Sequence, residues 1–384
     1  MNSISRLRAS AWHQLQCRPQ CRLSSSARIS KPLRILFCGS DEFSTPSLLA
    51  LHKEHQINPG LVEHLEVACR PPKRVGTGLK TLRSVAVDTL ANSLSLPIHH
   101  VDNVNDILLP PGVNLIVTVS FGLLIPHRVL KDTEYGGLNI HPSLLPDLRG
   151  GAPLHHVLLK RRRFTGVSLQ TLHPSRFDHG TVIAQTPEPW IPVPEKGTPG
   201  ELLAMLAPLG ADMLVQALRD GLHVPPVQPL KFDARMLDRM TDGYGPAWAP
   251  QVEKADSCVN WKSMPSSQVE LLARVFGQVW DGETWARYHE MAGWSADGPR
   301  RRMIYEDVKV GEGEPPEGLE PGDLFELPGE RVGVRTVDGY VVVGRSTVGG
   351  SKAGAGNRQL LLKMRVAKTR AEELAANSDA TEAS

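Results

Sequence analysis

The chain has 384 residues, of which 41% are hydrophobic and 22% are charged. This length is sufficient for two domains with separate cores, and the composition is typical of a globular protein. The apolar runs are shorter than the roughly 18 to 20 residues that a membrane helix needs, so we expect no membrane partner. The five cysteines are scattered and odd in number, which favours free thiols in a reducing compartment and predicts no metal site.

The N-terminal segment differs in composition from the rest of the chain. It contains seven basic residues and many serines before the first acidic residue, Asp41. Such an acid-free segment is typical of an organellar transit peptide, although a disordered basic tail has the same composition. We predict that residues 1–32 direct the chain to the mitochondrial matrix. Without those seven basic residues the net charge falls from +2 to −5, so nucleic-acid binding must rely on local basic patches.

From residue 33 to residue 221, short apolar runs alternate with segments of helical periodicity. This alternation predicts an α/β domain with a doubly wound, mostly parallel sheet. The predicted strands are 33–38, 64–69, 98–101, 115–120, 138–141, 165–172 and 181–185. The predicted helices are 43–53, 82–94, 126–131, 153–160 and 199–218.

The composition changes after residue 221. Residues 222–252 contain five prolines and few apolar runs, which predicts a linker. A helix is then predicted at 266–276, followed by short β-like runs at 302–305, 332–336, 340–344 and 359–364. Glycine-rich turns separate these runs, so residues 253–370 are predicted to form a small β-barrel. Residues 371–384 are predicted to be a disordered tail.

Three polar residues are candidates for chemistry. Asn139 and His141 lie two apart on a predicted strand, so their side chains point to the same face, near the strand end where open α/β sheets bind ligands. Asp178 lies in a loop between two later strands. Considered alone, these residues would also fit an ordinary strand end and turn. Gly39 follows the first strand without the further glycines of a dinucleotide site, which disfavours a nicotinamide-dependent dehydrogenase.

Residues 137–151 (GLNIHPSLLPDLRGG) resemble the signature of the formyltransferase family. The second domain, with the sequence VNW at 259–261, is similar to that of methionyl-tRNA formyltransferases, and the match runs in order from about residue 33 to residue 368. The first-domain motifs alone would also fit glycinamide ribonucleotide and sugar-nucleotide formyltransferases or a formyl-folate hydrolase. Further similar segments are 37–43 (FCGSDEF), 121–126 (FGLLIP), 165–168 (TGVS) and 178–180 (DHG).

The resemblance implies a formyltransferase variant of the Rossmann fold, an OB-like second domain and a specific reaction. A monomeric, metal-free enzyme would transfer the formyl group of 10-formyltetrahydrofolate to the α-amino group of initiator methionyl-tRNA. Asn139 and His141 would donate to the formyl oxygen, and Asp178 would orient His141 and help to move a proton. The alternatives are a formyltransferase for a small-molecule amine and a non-catalytic tRNA-binding relative. The residues implied to bind folate are Phe121, Gly122, Leu123, Leu124, Ser143, Leu144, Leu145 and Pro146.

Two basic clusters are candidates for tRNA binding on an otherwise acidic body. Residues 67–87 contain five basic residues and no acidic residue before Asp88 closes the segment, while residues 331–370 contain nine basic residues and Asp338. A solvated surface is the alternative explanation for the second cluster. Thr77 occupies a place in the first cluster where relatives commonly carry another basic residue. The predicted tRNA-binding residues are Arg70, Lys73, Arg74, Lys80, Arg358 and Lys363.

Overall fold

The computed structural model describes residues 30–291, 301–329, 331–349 and 356–382. Most of the predicted transit peptide, residues 1–29, lies outside these ranges. The described residues form an N-terminal α/β unit and a C-terminal β-rich unit, and the chain between the two units contains the predicted linker.

The N-terminal unit follows the predicted alternation of strands and helices. Its strands are β1 (Leu33–Gly39), β2 (Val62–Cys69), β3 (Lys73–Val75), β4 (Thr81–Arg83), β5 (Ile98–His100), β6 (Leu115–Val119), β7 (Gly137–His141), β8 (Phe164–Thr165), β9 (Ser168–Thr171), β10 (Val182–Gln185) and β11 (Ile191–Pro192). Its helices are α1 (Thr45–Ile57), α2 (Ala86–Ser93), α3 (His127–Leu130), α4 (Pro153–Leu159) and α5 (Pro199–Arg219).

Seven of these strands form the central sheet, in the order β10-β9-β7-β6-β1-β2-β5. The five strands from β7 to β5 are parallel, whereas β9 and β10 are antiparallel to their neighbours. The prediction of a mostly parallel sheet flanked by helices is confirmed. The predicted strand at 165–172 is divided in two, because β8 pairs with β11 outside the central sheet while β9 pairs with β7.

The core lies between the sheet and its helices. Strand β6 is buried along its whole length, as expected for a parallel strand covered on both faces. Among the described residues, α5 has the length and apolar character of a membrane span. In this fold its apolar face, including Leu206 and Leu214, packs into the same core cluster as Phe37 and Leu48, so that face is accounted for by the core.

A second feature of the N-terminal unit differs from the prediction. Strands β3 and β4 pair as an antiparallel hairpin, whereas the sequence predicts a helix from residue 82. The helix begins only at Ala86. The side chains of β4 are exposed, so the apolar periodicity that suggested a longer helix does not correspond to a buried face. We call residues 73–83 the basic hairpin.

The segment predicted as a linker is held against the N-terminal unit by a buried ion pair. Arg162, after α4, binds both carboxylate oxygens of Asp147 at 3.1 Å, and the two side chains are only 3% and 5% exposed. The same guanidinium donates to the carbonyl oxygens of Thr241 and Gly245, while Ala247 N donates to Asp147. The segment also contains helix α6 (Ala234–Met240), so it is a docked element.

The C-terminal unit is a separate antiparallel sheet with helices packed against it. Its strands pair in the order β12-β13-β16-β15-β14, so the predicted second β-rich unit is present. The strands are β12 (Gln278–Asp281), β13 (Met303–Val310), β14 (Leu324–Leu327), β15 (Arg331–Arg335) and β16 (Tyr340–Val348), and the helices are α7 (Ser266–Phe276), α8 (Thr284–Met291) and α9 (Gly356–Glu382).

The predicted strand at 359–364 is wrong, because these residues belong to α9. Leu360, Leu361, Met364 and Ala367 are buried in the core of this unit, and their spacing is that of one helical face. The helix continues to Glu382 through the segment predicted as a disordered tail. Its alanines and glutamates have high intrinsic helix propensity.

The two units share an apolar contact. Leu148 and Leu202 from the N-terminal unit cluster with Leu271 and Val275 of α7 and with Ala249 of the intervening segment. Arg274 of α7 also donates to the carbonyl oxygen of Gly197 at 2.6 Å. The C-terminal unit is therefore packed beside the start of α5 and the loop that follows β7.

The buried ion pair predicts a large effect of one arginine and a small effect of its neighbour. Arg162→Met should lower the free energy of unfolding by about 3–5 kcal/mol, because it leaves the Asp147 carboxylate buried with fewer donors. Arg163→Met removes an ion pair with Asp242 in which the arginine is 70% exposed, and should cost less than about 1 kcal/mol. Urea unfolding of both variants measures the difference, and equal losses would contradict the importance of the buried pair.

His223 predicts an acid-sensitive stability. Its ring is 1% exposed, lies edge-on to Tyr135, and has its pKa lowered by burial to about 4 from 6.5. The unfolded chain therefore binds this proton first, and folding loses stability as pH falls from about 6.5 to about 4. Between pH 7 and pH 4.5 the loss should be about 2 kcal/mol, and His223→Gln should remove it in urea titrations. His127→Gln, at an exposed position, is the control and should keep the wild-type pH dependence.

Candidate active site

A row of polar side chains crosses the centre of the sheet. In the strand register, Thr118 of β6 is opposite Asn139 of β7, and Asn139 is opposite Gln170 of β9. Thr118 Oγ1 donates to Asn139 Oδ1 at 3.0 Å. This bond fixes the orientation of the amide, so that its nitrogen is turned towards the loop that contains Asp178.

Asp178 is the residue on which these groups converge. Its Oδ1 accepts hydrogen bonds from Asn139 Nδ2 at 3.2 Å and Gln170 Nε2 at 2.9 Å. Its Oδ2 accepts from Gly150 N at 3.0 Å, and its backbone oxygen accepts from Arg149 Nε at 2.7 Å. The carboxylate is therefore held from several directions, with its side chain only 10% exposed.

His141 is the third predicted catalytic residue in this cluster. The ring is 4% exposed, and Nδ1 lies 3.4 Å from Asp178 Oδ1. Nε2 lies 2.9 Å from the carbonyl oxygen of Leu148, which can only accept, so this nitrogen carries a hydrogen. The structure thus brings together the three predicted catalytic residues. Since both ring nitrogens face oxygen partners, His141 must exchange one of them before it can donate to a substrate.

The backbone around Asp178 explains the glycines of the predicted motifs. Asp178 has a φ of 54°, a left-handed conformation that aspartate tolerates better than most residues. A Cβ at Gly180 would lie 1.6 Å from the carbonyl oxygen of Thr171, and one at Gly150 would lie 2.3 Å from that of Ala249. Any larger residue at either position would push the strand or the docked segment away from the site.

The cluster lies in a cleft of about 930 Å³. The predicted folate residues Phe121, Gly122, Leu123 and Leu124 all line this cleft, and Ser40 Oγ of the first turn donates to the carbonyl oxygen of Phe121. His155 also lines it, and burial lowers the pKa of its imidazole. The cleft thus combines an apolar wall with a polar floor, the composition expected of a small-molecule site.

The other predicted folate residues, Ser143, Leu144, Leu145 and Pro146, do not line the cleft. Leu144 packs against Trp190 and Met240 in a separate apolar cluster. Ser168 Oγ donates to the carbonyl oxygen of Ser143 and accepts from Leu145 N. This turn is therefore tied to β9, and it supports the site by fixing the loop that supplies Gly150 N.

Some of the cations in and just before the basic hairpin are paired with a carboxylate, and others have no such pairing among the described residues. Arg70, just before it, and Lys73 both pair with Asp102, at 3.3 and 3.4 Å. Arg70 also lines the cleft. Arg74 and Lys80 are exposed on the hairpin itself, and Lys73 is also 60% exposed although it is paired.

The basic stretch of the C-terminal unit is less open than its sequence suggests. Lys363 Nζ lies 4.4 Å from the centroid of the Trp285 ring, and burial lowers the pKa of this amine. Arg345 pairs with Glu306 and Arg365 with Glu326. Arg358 is exposed. Several of the predicted phosphate contacts are thus engaged within the protein, because acidic residues outside the counted stretch fold against it.

Sequence reasoning missed Thr118, Gln170, Arg149 and Gly150 as members of the site. Arg149 and Gly150 follow the recognised strand within ten residues, so the motif itself could have suggested them. Thr118 and Gln170 join the site through strand register. No local pattern signals that register before the sheet order is known.

Comparison with known proteins establishes the class to which this chain belongs. Residues 33–218 match the formyl transferase family. The methionyl-tRNA formyltransferase of Cereibacter sphaeroides is 32% identical over 245 residues, which cover 62% of this chain and 72% of that protein. The mitochondrial methionyl-tRNA formyltransferase of Saccharomyces cerevisiae is 33% identical over 282 residues, which cover 64% of this chain and 67% of the yeast protein.

The human mitochondrial methionyl-tRNA formyltransferase is 32% identical over 263 residues, and the match spans 67% of this chain but 60% of the human protein. An N-formyltransferase from Helicobacter canadensis, solved with folinic acid and dTDP-3-aminofucose, has a TM-score of 0.51 at 13% identity. That match covers 81% of this chain and 98% of the other, and it shows the fold alone. The chain belongs to the methionyl-tRNA formyltransferase family, as its sequence motifs predict, and it is a formyltransferase enzyme.

Proposed function

We propose that Asn139, His141 and Asp178 catalyse transfer of the formyl group of 10-formyltetrahydrofolate to the α-amino group of initiator methionyl-tRNA. The observation that carries this proposal is the buried carboxylate of Asp178. It is held by Asn139, Gln170 and Gly150 beside His141. Amide and imidazole donors next to a fixed carboxylate are the groups that an acyl transfer between amines requires.

The chemistry follows from the positions of these groups. The amine nitrogen attacks the formyl carbon, and the electron pair of the carbonyl bond moves to the oxygen. Asn139 Nδ2 carries two hydrogens, and its bond to Asp178 uses one of them, so the second can stabilise that oxygen. His141, which lines the cleft, adds a donor when its Nε2 exchanges the Leu148 carbonyl for the substrate oxygen.

Proton movement completes the reaction. The intermediate collapses by breaking the bond between the formyl carbon and N10 of the folate. The attacking amine loses one proton and N10 gains one, and Asp178 is the group positioned to carry it, directly or through water. The α-amino group has a pKa of about 8, so modest assistance makes it nucleophilic near neutral pH.

The folate and the tRNA would approach the cluster from different sides. The apolar wall formed by Phe121, Leu123 and Leu124 suits the folate ring system, with backbone groups available to its polar edge. Arg74 and Lys80 of the basic hairpin, which are exposed, would contact phosphates near the acceptor end. The C-terminal unit, which we infer to be an OB-like barrel formed by residues 253–370, would contact the tRNA body around Arg358.

The remaining inferences concern organisation and location. We infer a monomer with a catalytic domain at 33–221 and a connecting segment at 222–252. The mitochondrial names of the yeast and human relatives and the acid-free leader support targeting to the mitochondrial matrix through residues 1–32.

A direct assay tests the reaction and its catalytic residues. The purified chain should form formyl-methionyl-tRNA from 10-formyltetrahydrofolate and charged initiator tRNA. Asp178→Asn and His141→Ala should each lower kcat by about 10² to 10³ while tRNA affinity changes little. The exposed variants Asp220→Asn and His127→Ala are matched controls and should retain wild-type kcat. Wild-type turnover in Asp178→Asn would refute the catalytic assignment.

The same assay separates the alternatives. Formylation of a free amino compound but not of charged tRNA would identify a small-molecule formyltransferase. Tight tRNA binding without turnover in the unmodified chain would identify a non-catalytic tRNA-binding relative.

We expect Arg74, Lys80 and Arg358 to contribute to tRNA binding. Replacing Arg74 and Lys80 together with alanine should weaken tRNA binding and reduce the slope of log affinity against log salt concentration by about two, one unit for each phosphate contact. Arg358→Ala should reduce the slope by about one. Lys363→Gln should leave the slope unchanged and lower thermal stability, because this amine packs on Trp285. Filter binding across a salt series measures the slopes. Unchanged slopes in the first two variants would show that these charges are solvated.

A further inference from the structure

Three potential metal ligands of different chemistry meet at the edge of the central sheet formed by β2 and β5. Cys69 ends β2, His100 ends β5, and Asp88 lies in the first turn of α2. Asp88 Oδ1 is 2.7 Å from His100 Nε2 and 3.9 Å from Cys69 Sγ. The three donor atoms all lie within 4.8 Å of one another. They come from three separate elements, so the fold and not a local motif brings them together.

The site combines a buried carboxylate, which has His100 and Cys69 as its side-chain partners, with a buried thiol. Cys69 is fully buried and Asp88 is 4% exposed, whereas the His100 side chain is 44% exposed. Burial and the neighbouring Asp88 raise the pKa of the Cys69 thiol to about 12. A divalent cation would offset both the buried carboxylate and the thiolate, and the exposed edge of His100 provides a route of entry.

We propose that Cys69, Asp88 and His100 bind a divalent transition metal of the zinc type. One sulfur, one nitrogen and one oxygen ligand form a donor set that zinc accepts in tetrahedral geometry, with a fourth position left for water. The separations between the ligand atoms have to change by about 1 Å at most, since tetrahedral ligands lie about 3–4 Å apart at the zinc bond lengths of about 2.0–2.3 Å. Binding replaces the thiol proton of Cys69, so one proton is released to solvent for each metal bound.

Two histidines on the same strands, β2 and β5, form a cluster that differs from the proposed metal site. His64 and His99 each bind a different oxygen of Glu66 at 2.6 Å. In that arrangement the carboxylate lies between the two rings, and no thiol is near enough among the described residues to join it. His99 is adjacent in sequence to His100, so its replacement removes an exposed imidazole from β5 while leaving the proposed site intact.

The position of the site gives it a structural role. Arg70, which lines the cleft, directly follows Cys69, and α2 begins three residues after the hairpin ends. A metal that joins β2, β5 and α2 would fix both ends of the basic hairpin to the sheet edge. The role is independent of formyl transfer, so it can be tested without substrate.

Cobalt titration of the full chain, monitored by absorption, tests the proposal. Co²⁺ should bind with a stoichiometry of one, giving a thiolate-to-cobalt charge-transfer band and the visible bands of tetrahedral cobalt, and Zn²⁺ should displace it. Cys69→Ser should abolish the charge-transfer band, and His100→Gln should weaken cobalt binding at least 10-fold. The controls His99→Gln and Cys258→Ser should retain the wild-type affinity and spectrum.

Three outcomes would overturn the proposal. The first is the absence of a thiolate band in the wild-type chain, and the second is a band that persists in Cys69→Ser, which would assign the metal to another thiol. If Cys69→Ser fails to fold, His100→Gln still decides the question, because its partly exposed side chain can change without loss of the core. Unchanged cobalt affinity in a folded His100→Gln chain would equally refute the site.

Discussion

The buried pair of Arg162 and Asp147 is the interaction on which the geometry of this protein most depends. Asp147 lies in the loop that follows β7, and its carboxylate joins that loop to the end of α4 and to the segment between the two units. The same loop delivers Gly150 N to Asp178. Because a buried ion pair tolerates little displacement, the position of the candidate catalytic carboxylate depends on charges that do not line the cleft.

The sheet contributes a second level of order. Thr118, Asn139 and Gln170 occupy one register row on three strands, and each amide has its orientation set by a neighbour. A change of register by one residue would turn this row to the opposite face of the sheet. The parallel pairing of β7 with β6 and its antiparallel pairing with β9 therefore determine which polar side chains line the cleft, in addition to determining the fold.

Sequence patterns predicted the features that depend on local order. The buried strands appeared as apolar runs, and Asn139 and His141 appeared as a pair because alternate strand residues share a face. Features that depend on distant partners were not visible. Over a short stretch of sequence, the apolar residues around Leu360 resembled a strand although they belong to a helix. The sequence around Gln170 contains no pattern that predicts its hydrogen bond to Asp178. The ligand cluster at Cys69 escaped notice for the same reason, since its members are separated by turns, a hairpin and a helix.

The contact of Asp102 with both Arg70 and Lys73 affects which anionic ligands these two cations can bind. These cations already hold a carboxylate, so an incoming phosphate exchanges one anion for another and gains little from a single contact. A ligand that presents several phosphates at the right spacing gains at each further cation, including Arg74 and Lys80. The exposed Asp102 carboxylate would thus compete with a single small anion for these two cations, and we expect this competition to matter less for a ligand that also reaches Arg74 and Lys80.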